Sequence, residues 1–196
     1  MPRVDTDSFY RDSLARHGHS AEGVQWNSAR SQHIRFLALR EFLPDDLSTL
    51  SLVDAGCGLG DLFVFLSDRG EKPRSYIGID VVAPMVEAAA GRTGREILQR
   101  DVLLDDLPGA DYYLCSGAMN TLTHEETLLF IRRCYAASRQ GFVFNLLEGR
   151  QRGGAYNHFQ YDDLRPLAEE LSAELNFANN YLAGDFTASF IHRDAS

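Results

Sequence analysis

Short apolar runs alternate along the chain with segments in which apolar residues recur every three or four positions. The runs predict five β-strands, at Leu52–Ala55, Arg74–Asp80, Ile97–Arg100, Asp111–Ser116 and Gly141–Leu147. Between them, helical spacing predicts helices that begin near Leu62, near Pro84 and after Thr123, where Glu126 completes a capping box. Such an alternation of strands and helices is typical of an α/β fold with a parallel sheet.

Two further segments flank this alternating region. Residues 1–45 predict a polar N-terminal arm whose helix is ended by Pro44. Leucines at helical spacing predict a helix over Asp162–Asn176, and the pattern over Asn179–His192 predicts two strands joined by a tight turn. We therefore expect a single domain over residues 46–196, preceded by the arm.

A glycine-rich turn follows the first predicted strand, in the segment Asp54-Ala55-Gly56-Cys57-Gly58-Leu59-Gly60-Asp61. Glycine takes positive φ readily and leaves room for a ligand to lie on the main chain. A phosphate-binding loop would carry Lys and then Ser or Thr after its last glycine, where this chain has Asp61. The spacing is also GxGxG and not the GxGxxG of dinucleotide sites. Carboxylates on both flanks suit a ligand that carries an ammonium group better than a pyrophosphate.

This turn resembles the first motif of the class I S-adenosylmethionine-dependent methyltransferases, which reads apolar-Asp-x-Gly-x-Gly-x-Gly. The resemblance covers residues 51–193 in motif order, including the predicted terminal strand pair. It implies a three-layer αβα sandwich with a seven-stranded, mostly parallel sheet in the order 3-2-1-4-5-7-6, whose last strand is antiparallel. It also implies S-adenosylmethionine as cofactor. Larger relatives have a helix between the third and fourth strands, whereas here residues 102–111 can make the crossover without a helix, so we expect a loop.

The residues that follow the second and third predicted strands indicate where an adenosine would bind. Asp80 lies twenty positions after Gly60, close to the place of a ribose-binding acid in nucleotide-binding βαβ units. Val81 would then pack beside the adenine or ribose. By resemblance to the family, Asp101 accepts a hydrogen bond from the adenine amino group and the Val102 N–H meets a ring nitrogen.

The end of the fourth predicted strand and the arm complete the predicted site. By resemblance, Ser116 and Gly117 run beside the sulfur of the cofactor. Arg35 has two interpretations, a clamp on the methionyl carboxylate or a solvated surface charge. The predicted cofactor-binding set is Arg35, Asp54, Gly56, Gly58, Gly60, Asp80, Val81, Asp101, Val102, Ser116 and Gly117.

Composition and charge narrow the classes of function. The chain of 196 residues has a formal net charge of −9, which disfavours a general nucleic-acid binder because such proteins cluster Lys and Arg. Since no apolar run reaches membrane-spanning length and the first residues lack the apolar stretch of a signal peptide, we expect a cytoplasmic protein. Cys57, Cys115 and Cys134 lack CxxC spacing, so we expect core or turn thiols and no metal site.

The predicted activity is methyl transfer to an oxygen or nitrogen atom of a small-molecule acceptor by in-line displacement. The fourth strand is not followed by the Asn/Asp-Pro-Pro-aromatic signature of amino-directed nucleic-acid methyltransferases, which favours a small molecule over a base. Orientation of the reactants can supply most of the catalysis, so a general base is optional. The candidate catalytic residues are Tyr10, His17, Asn120 and His158. We expect a monomer or a homodimer.

Three alternatives remain open at this point. An NAD-type oxidoreductase would carry a GxGxxG turn, which this chain lacks. A non-catalytic sensor or partner subunit would bind S-adenosylmethionine without turnover. A protein or peptide acceptor would suit an acidic surface that attracts a basic segment.

Overall fold

The apolar runs of the sequence form the central strands of a twisted sheet, because strands covered on both faces must be apolar along their whole length. The computed structural model describes residues 29–150 and 156–193. The strands are β1 (Ser51–Ala55), β2 (Ser75–Asp80), β3 (Glu96–Gln99), β4 (Ala110–Ser116), β5 (Ser138–Glu148), β6 (His158–Phe159), β7 (Glu174–Ala178) and β8 (Asp185–Ile191). The helices are α1 (Ala29–Arg40), α2 (Asp61–Asp68), α3 (Ala83–Thr93), α4 (His124–Ala137) and α5 (Tyr161–Glu170), with a short 3₁₀ helix at Ala118–Thr121.

The strand order confirms the predicted fold. The sheet runs β3-β2-β1-β4-β5-β8-β7, and the two-residue β6 pairs with the end of β5. Strands β1 to β5 are parallel, and β8 lies antiparallel between β5 and β7. The prediction did not include β6, so β7 and β8 are the sixth and seventh predicted strands. With that numbering the observed order is the predicted 3-2-1-4-5-7-6.

Successive residues of the central strands point to opposite faces, and each face is covered by helices. On one face, α1 and α2 pack Phe36 and Leu62 in a cluster with Leu52 of β1. On the other face, α4 and α5 pack in a cluster that includes Val53, the neighbouring residue of β1. The result is the predicted three-layer sandwich. Since Phe36 is buried, the helical end of the predicted arm is part of this packing.

The predicted helix over Asp162–Asn176 is wrong in its second half. Helix α5 ends at Glu170, and Ser172 takes a left-handed conformation with φ 54° that turns the chain back. Residues Glu174–Ala178 then form β7, where Leu175 lies opposite Phe190 of β8. Of the strand pair predicted over Asn179–His192, the first strand is wrong for the same reason, because residues 179–184 connect β7 to β8. The second strand is confirmed as β8.

Two local predictions hold. Residues 100–109, between β3 and β4, contain no helix, so the crossover is a loop as predicted; it begins with a turn in which the Asp105 N–H bonds to the Asp101 carbonyl at 2.8 Å. Thr123 caps α4: its side chain accepts a hydrogen bond from the Glu126 N–H, and the Glu126 carboxylate accepts one from the Thr123 N–H. None of the described helices is long and apolar enough to cross a membrane.

Candidate functional site

A cleft lies at the carboxyl ends of the parallel strands, where the chain leaves β1, β2, β3 and β4. The predicted cofactor-binding residues that line it are Arg35, Asp54, Gly56, Gly58, Asp80, Val81, Asp101, Val102, Ser116 and Gly117. These residues come from five separate stretches of the sequence. They meet because the carboxyl ends of parallel strands share one edge of the sheet.

The glycine turn after β1 needs glycine for two different reasons. Gly56 has φ 79°, and a Cβ there would lie 2.2 Å from the Cβ of Ala118, in the 3₁₀ helix that follows β4. Gly60, the one member of the predicted set outside the cleft lining, has φ 76° and caps α2. A Cβ on Gly60 would lie 2.6 Å from the Thr93 side chain, so this glycine allows α2 and α3 to pack closely.

Asp80 is held in one orientation by two backbone groups. Its oxygens accept hydrogen bonds from the N–H groups of Gly58 and Val82, each at 2.9 Å. Burial raises the pKa of the Asp80 carboxyl, and these backbone hydrogen bonds oppose the shift. Because a carboxylate oxygen accepts more than one hydrogen bond, Asp80 can still accept from a ligand in the cleft.

Asp54, at the end of β1, is a buried acid poised to titrate near neutral pH. Its exposed fraction is 3%, and the Tyr76 hydroxyl donates to it at 2.6 Å. Burial raises the pKa of Asp54 to about 7, against the effect of the Tyr76 hydrogen bond and with smaller repulsion from Asp80 and Asp61. A positively charged ligand group in the cleft would favour the ionised carboxylate.

Arg35 lies in the wall of the cleft on α1 and is not a solvated surface residue. Its exposed fraction is 8%, and its Nε donates to Asp185 at 2.6 Å. Asp185 begins β8 and is itself buried. The interpretation of Arg35 as a surface charge is therefore wrong. Sequence reasoning missed Asp185 because it stands after Gly184, where it was assigned to a turn.

The part of the cleft around Asn120 combines apolar side chains with unsatisfied polar atoms. Leu122, Phe130 and Tyr156 contribute to its wall. Among the described residues, the Oδ1 of Asn120 and the Oγ1 of Thr121 are buried without a hydrogen-bond partner. Buried polar atoms without partners are costly, so a ligand that hydrogen bonds to them would be favoured.

Of the four candidate catalytic residues, only Asn120 lines the cleft within the described part of the chain. Tyr10 and His17 lie outside the described residues. His158 is on β6, opposite Leu147 of β5, and is not part of the cleft wall. Asn120 is therefore the one candidate that the described structure places beside the predicted cofactor-binding set.

The three cysteines are buried free thiols. Cys57, Cys115 and Cys134 are buried and unpaired, and burial raises the pKa of each thiol. Within residues 29–150 and 156–193, no group of three or more His, Cys, Asp or Glu residues is arranged to hold a metal ion.

A comparison with protein families finds one match. Residues 52–141 match a family described as a methyltransferase domain. This segment contains the glycine turn, Asp80, Asp101 and the end of β4. No curated protein sequence matches the chain.

Solved structures with the same fold include three methyltransferases. Magnesium protoporphyrin IX methyltransferase from Synechocystis PCC 6803, with bound SAH, matches with a TM-score of 0.70 and 14% identity over 95% of both chains. The small RNA methyltransferase HEN1 matches with a TM-score of 0.65 and 16% identity, over 85% of this chain and 26% of that one. An S-adenosylmethionine-dependent methyltransferase from Mesorhizobium loti matches with a TM-score of 0.63 and 16% identity, over 80% of this chain and 96% of that one.

Proposed function

We propose that this chain is a class I S-adenosylmethionine-dependent methyltransferase and that it methylates an oxygen or nitrogen atom of a small-molecule acceptor. S-adenosylmethionine is the cofactor. The acceptor class is the new part of the proposal, because the structural relatives act on chemically different substrates, which include a porphyrin and a small RNA.

The observation that carries the proposal is the lining of the cleft around Asn120. Leu122, Phe130 and Tyr156 contribute to the wall there, and the Oδ1 of Asn120 is buried without a partner in the described structure. Among the described residues of the cleft wall only Arg35 and Arg100 are basic, and Arg35 is assigned to the cofactor. A nucleic-acid acceptor requires a basic surface that neutralises its phosphates. A small molecule requires no such surface, so this wall favours it.

The residues present fit the cofactor. When bound, S-adenosylmethionine supplies a methyl group on a positively charged sulfur, which a nucleophile displaces in line. Asp80, oriented by Gly58 and Val82, would accept hydrogen bonds from the ribose hydroxyls. Asp101 would bind the adenine, and Arg35 would bind the methionyl carboxylate.

Asn120 would orient the acceptor. Its buried Oδ1 lacks a hydrogen-bond partner in the described structure and can accept from an O–H or N–H of the attacking group. An amide is too weak a base to remove a proton, so Asn120 would hold the acceptor without acting as a general base. Orientation of this kind supplies a large part of the rate in an in-line displacement.

Transfer of a labelled methyl group tests the proposal. The purified chain is given S-adenosylmethionine with a tritiated methyl group and one of four acceptor pools: phenols with carboxylic acids, small amines, basic peptides, or RNA. We expect label in a small-molecule pool, and none with the Asp80→Ala variant. Label only in RNA or only in peptides would overturn the small-molecule assignment. Binding of the cofactor without transfer to any pool would favour the non-catalytic alternative.

The Asn120→Ala variant separates acceptor orientation from cofactor binding. Once an acceptor is identified, we expect a loss of about tenfold or more in kcat/KM, as for one hydrogen bond worth about 1.4 kcal/mol. The Kd for S-adenosylhomocysteine should stay unchanged. Equal losses in cofactor binding and in transfer would contradict the assigned role of Asn120.

A further inference from the structure

A chain of hydrogen-bonded side chains runs behind the cleft wall and joins Ser116 to Arg35. Asn145 of β5 and Thr187 of β8 are its central members, with exposed fractions of 2% and 0%. Tyr181 and Asp185 complete the connection to Arg35. We call these side chains the polar relay: Ser116, Asn145, Thr187, Tyr181, Asp185 and Arg35. Its two ends, Ser116 and Arg35, line the cleft.

Four of the five distances in the polar relay are those of good hydrogen bonds, and the fifth, between Tyr181 and Asp185, is longer. From Ser116 Oγ to Asn145 Oδ1 and from Asn145 Nδ2 to Thr187 Oγ1 the distance is 2.7 Å in each case. Thr187 Oγ1 lies 2.9 Å from the Tyr181 hydroxyl, which lies 3.2 Å from Asp185 Oδ1. Nε of Arg35 lies 2.6 Å from the other oxygen of Asp185.

The carboxylate of Asp185 sets the direction of every bond in the polar relay. A guanidinium stays protonated, and the carboxylate paired with it can only accept hydrogen bonds. Tyr181 therefore donates to Asp185 and must accept from Thr187. Thr187 in turn accepts from the amide nitrogen of Asn145. The amide oxygen of Asn145 then faces Ser116, whose hydroxyl has to donate to it.

This direction determines what the two ends offer to a ligand. Because the Ser116 proton is used by Asn145, its oxygen presents only lone pairs to the cleft and binds a hydrogen-bond donor. Arg35, at the other end, is a guanidinium with several N–H donors, which suit a hydrogen-bond acceptor or an anion. Ser116 thus suits a hydrogen-bond donor and Arg35 suits an anion, and one buried network orients both side chains.

We propose that the polar relay orients Ser116 and Arg35 to bind the two opposite charges of the amino-acid end of the cofactor. Ser116 accepts a hydrogen bond from the ammonium group, and Arg35 pairs with the carboxylate. Asn145, Thr187, Tyr181 and Asp185 are positioning residues that do not touch the ligand. The inference rests on the cofactor and on the role proposed above for Arg35, and it is independent of the acceptor.

The ammonium group is the donor that matches Ser116 by position. The adenosine part of the cofactor is assigned to Asp80 and Asp101, which follow β2 and β3. Ser116 ends β4, on the other side of β1 in the sheet. The polar relay continues from β4 through β5 to β8, away from the adenosine side. With the adenosine on the side of β2 and β3, the part of the cofactor that lies near Ser116 is its amino-acid end.

Two ligands that differ in the amino-acid end provide the test. S-adenosylhomocysteine carries the ammonium and the carboxylate, and 5′-methylthioadenosine lacks both. Thr187→Val keeps the size of the side chain and breaks the polar relay at its centre. We expect calorimetric titration to show a Kd for S-adenosylhomocysteine raised about tenfold or more, the effect of one lost hydrogen bond. The Kd for 5′-methylthioadenosine should stay within about twofold of that of the unmodified chain.

Two control variants make the test specific. Thr187→Ser keeps the hydroxyl and should retain the affinity for S-adenosylhomocysteine. Ser189→Ala removes another fully buried hydroxyl from β8, one that has no hydrogen-bond partner in the described structure, and should leave both affinities unchanged. An unchanged affinity for S-adenosylhomocysteine in Thr187→Val, or an equal loss for both ligands, would overturn the proposal. The same holds if Ser189→Ala reproduced the selective loss. Because no acceptor is used, these results do not depend on whether a small molecule is methylated.

Discussion

Single residues in the cleft and beside it are constrained in different ways, although they are close in sequence. Gly56 is required by a close approach of the main chain to Ala118, and Gly60 by the packing of α2 against α3. Asp54, two positions before Gly56, is a buried acid. Substitutions at these positions should therefore change the stability of the chain by different amounts and with a different dependence on pH.

Gly56→Ala should destabilise the chain more than Gly70→Ala. Both glycines have positive φ, at 79° and 74°, so both variants lose about 1–2 kcal/mol from the left-handed conformation. At Gly70 nothing lies within 4 Å of an added Cβ, whereas at Gly56 the new methyl group overlaps Ala118. We expect a further ~1–3 kcal/mol of destabilisation at Gly56.

Urea unfolding of the two variants and of the double variant Gly56→Ala/Ala118→Gly measures these terms. The double variant should recover the cost of the overlap and keep the cost of the backbone conformation. Equal destabilisation by Gly56→Ala and Gly70→Ala would show that Ala118 moves aside freely.

The raised pKa of Asp54 predicts a pH dependence of stability. Its pKa in the folded chain is about 7, above the ordinary value of 3.8, so the folded state binds a proton more tightly than the unfolded state. The contribution of Asp54 to stability is complete below about pH 4 and is lost as the pH rises through about 7.

Asp54→Asn removes this titration and keeps the shape of the side chain. Measured without cofactor between pH 4 and pH 8, the difference in unfolding free energy between Asp54→Asn and the unmodified chain should move in favour of the variant as the pH rises. Comparison of the two chains cancels the contribution of Asp185, whose pKa burial also raises. If this difference in unfolding free energy did not change with pH, the pKa of Asp54 would not be raised in the folded chain.

At the scale of elements, the end of α5 decides how the last two strands are placed. Leucines continue at helical spacing to Leu175, yet the helix stops, and the Ala173 N–H bonds back to the carbonyl of Ala168 at 2.9 Å. The segment Glu174–Ala178 also alternates apolar and polar residues, so it fits a strand as well as a helix. Pairing with β8 satisfies a whole edge of backbone groups, which a longer helix would leave unpaired.

Ser172→Gly should stabilise the chain by up to about 1 kcal/mol, because glycine takes the left-handed conformation without the steric cost of a Cβ. Thermal unfolding of this variant is compared with that of Ser172→Ala, which keeps the Cβ and should bring no gain. If Ser172→Gly lowered the melting temperature, the φ of 54° would not be a source of strain in the folded chain.

At the scale of the whole molecule, Asp111 joins strands at the edge of the sheet opposite the cleft. Its carboxylate accepts from the Ser51 N–H at 2.7 Å and from Arg139 Nε at 2.8 Å. It thereby links the start of β1 and the start of β4 to β5. Burial opposes its ionisation, but the hydrogen bonds from Arg139 and Ser51 outweigh burial and lower the pKa of Asp111 to about 2.

Asp111→Asn should lower the unfolding free energy at neutral pH by about 1–2 kcal/mol, a modest value because the Arg139 side chain is 54% exposed and its charge is screened. The folded pKa lies below the ordinary 3.8, so the contribution of the carboxylate is complete above about pH 4 and is lost as the pH falls to about 2. Acid unfolding followed by circular dichroism should show the two chains converging over this range. A constant difference would indicate that only the shape of the side chain matters.

The sequence by itself determined the parallel strands, the glycine turn and the acids at the strand ends. Continuous apolar runs require burial on both faces, and parallel strands bring their carboxyl ends to one edge. Asp54, Asp80, Asp101 and Ser116 could therefore be assigned to one site although they lie far apart in the chain. The resemblance to the methyltransferases added the strand order and the cofactor.

Only the tertiary structure decided the partners of polar side chains and the course of the C-terminal segment. Arg35 and Asp185 are 150 positions apart, and Asn145 and Thr187 are 42 apart. No local pattern encodes such pairs, because a buried charge or amide accepts any partner that the packing of distant elements brings within reach. Helix α5 likewise ends before β7, because residues of β7 form backbone hydrogen bonds with the edge of β8. The spacing of the leucines does not indicate this pairing.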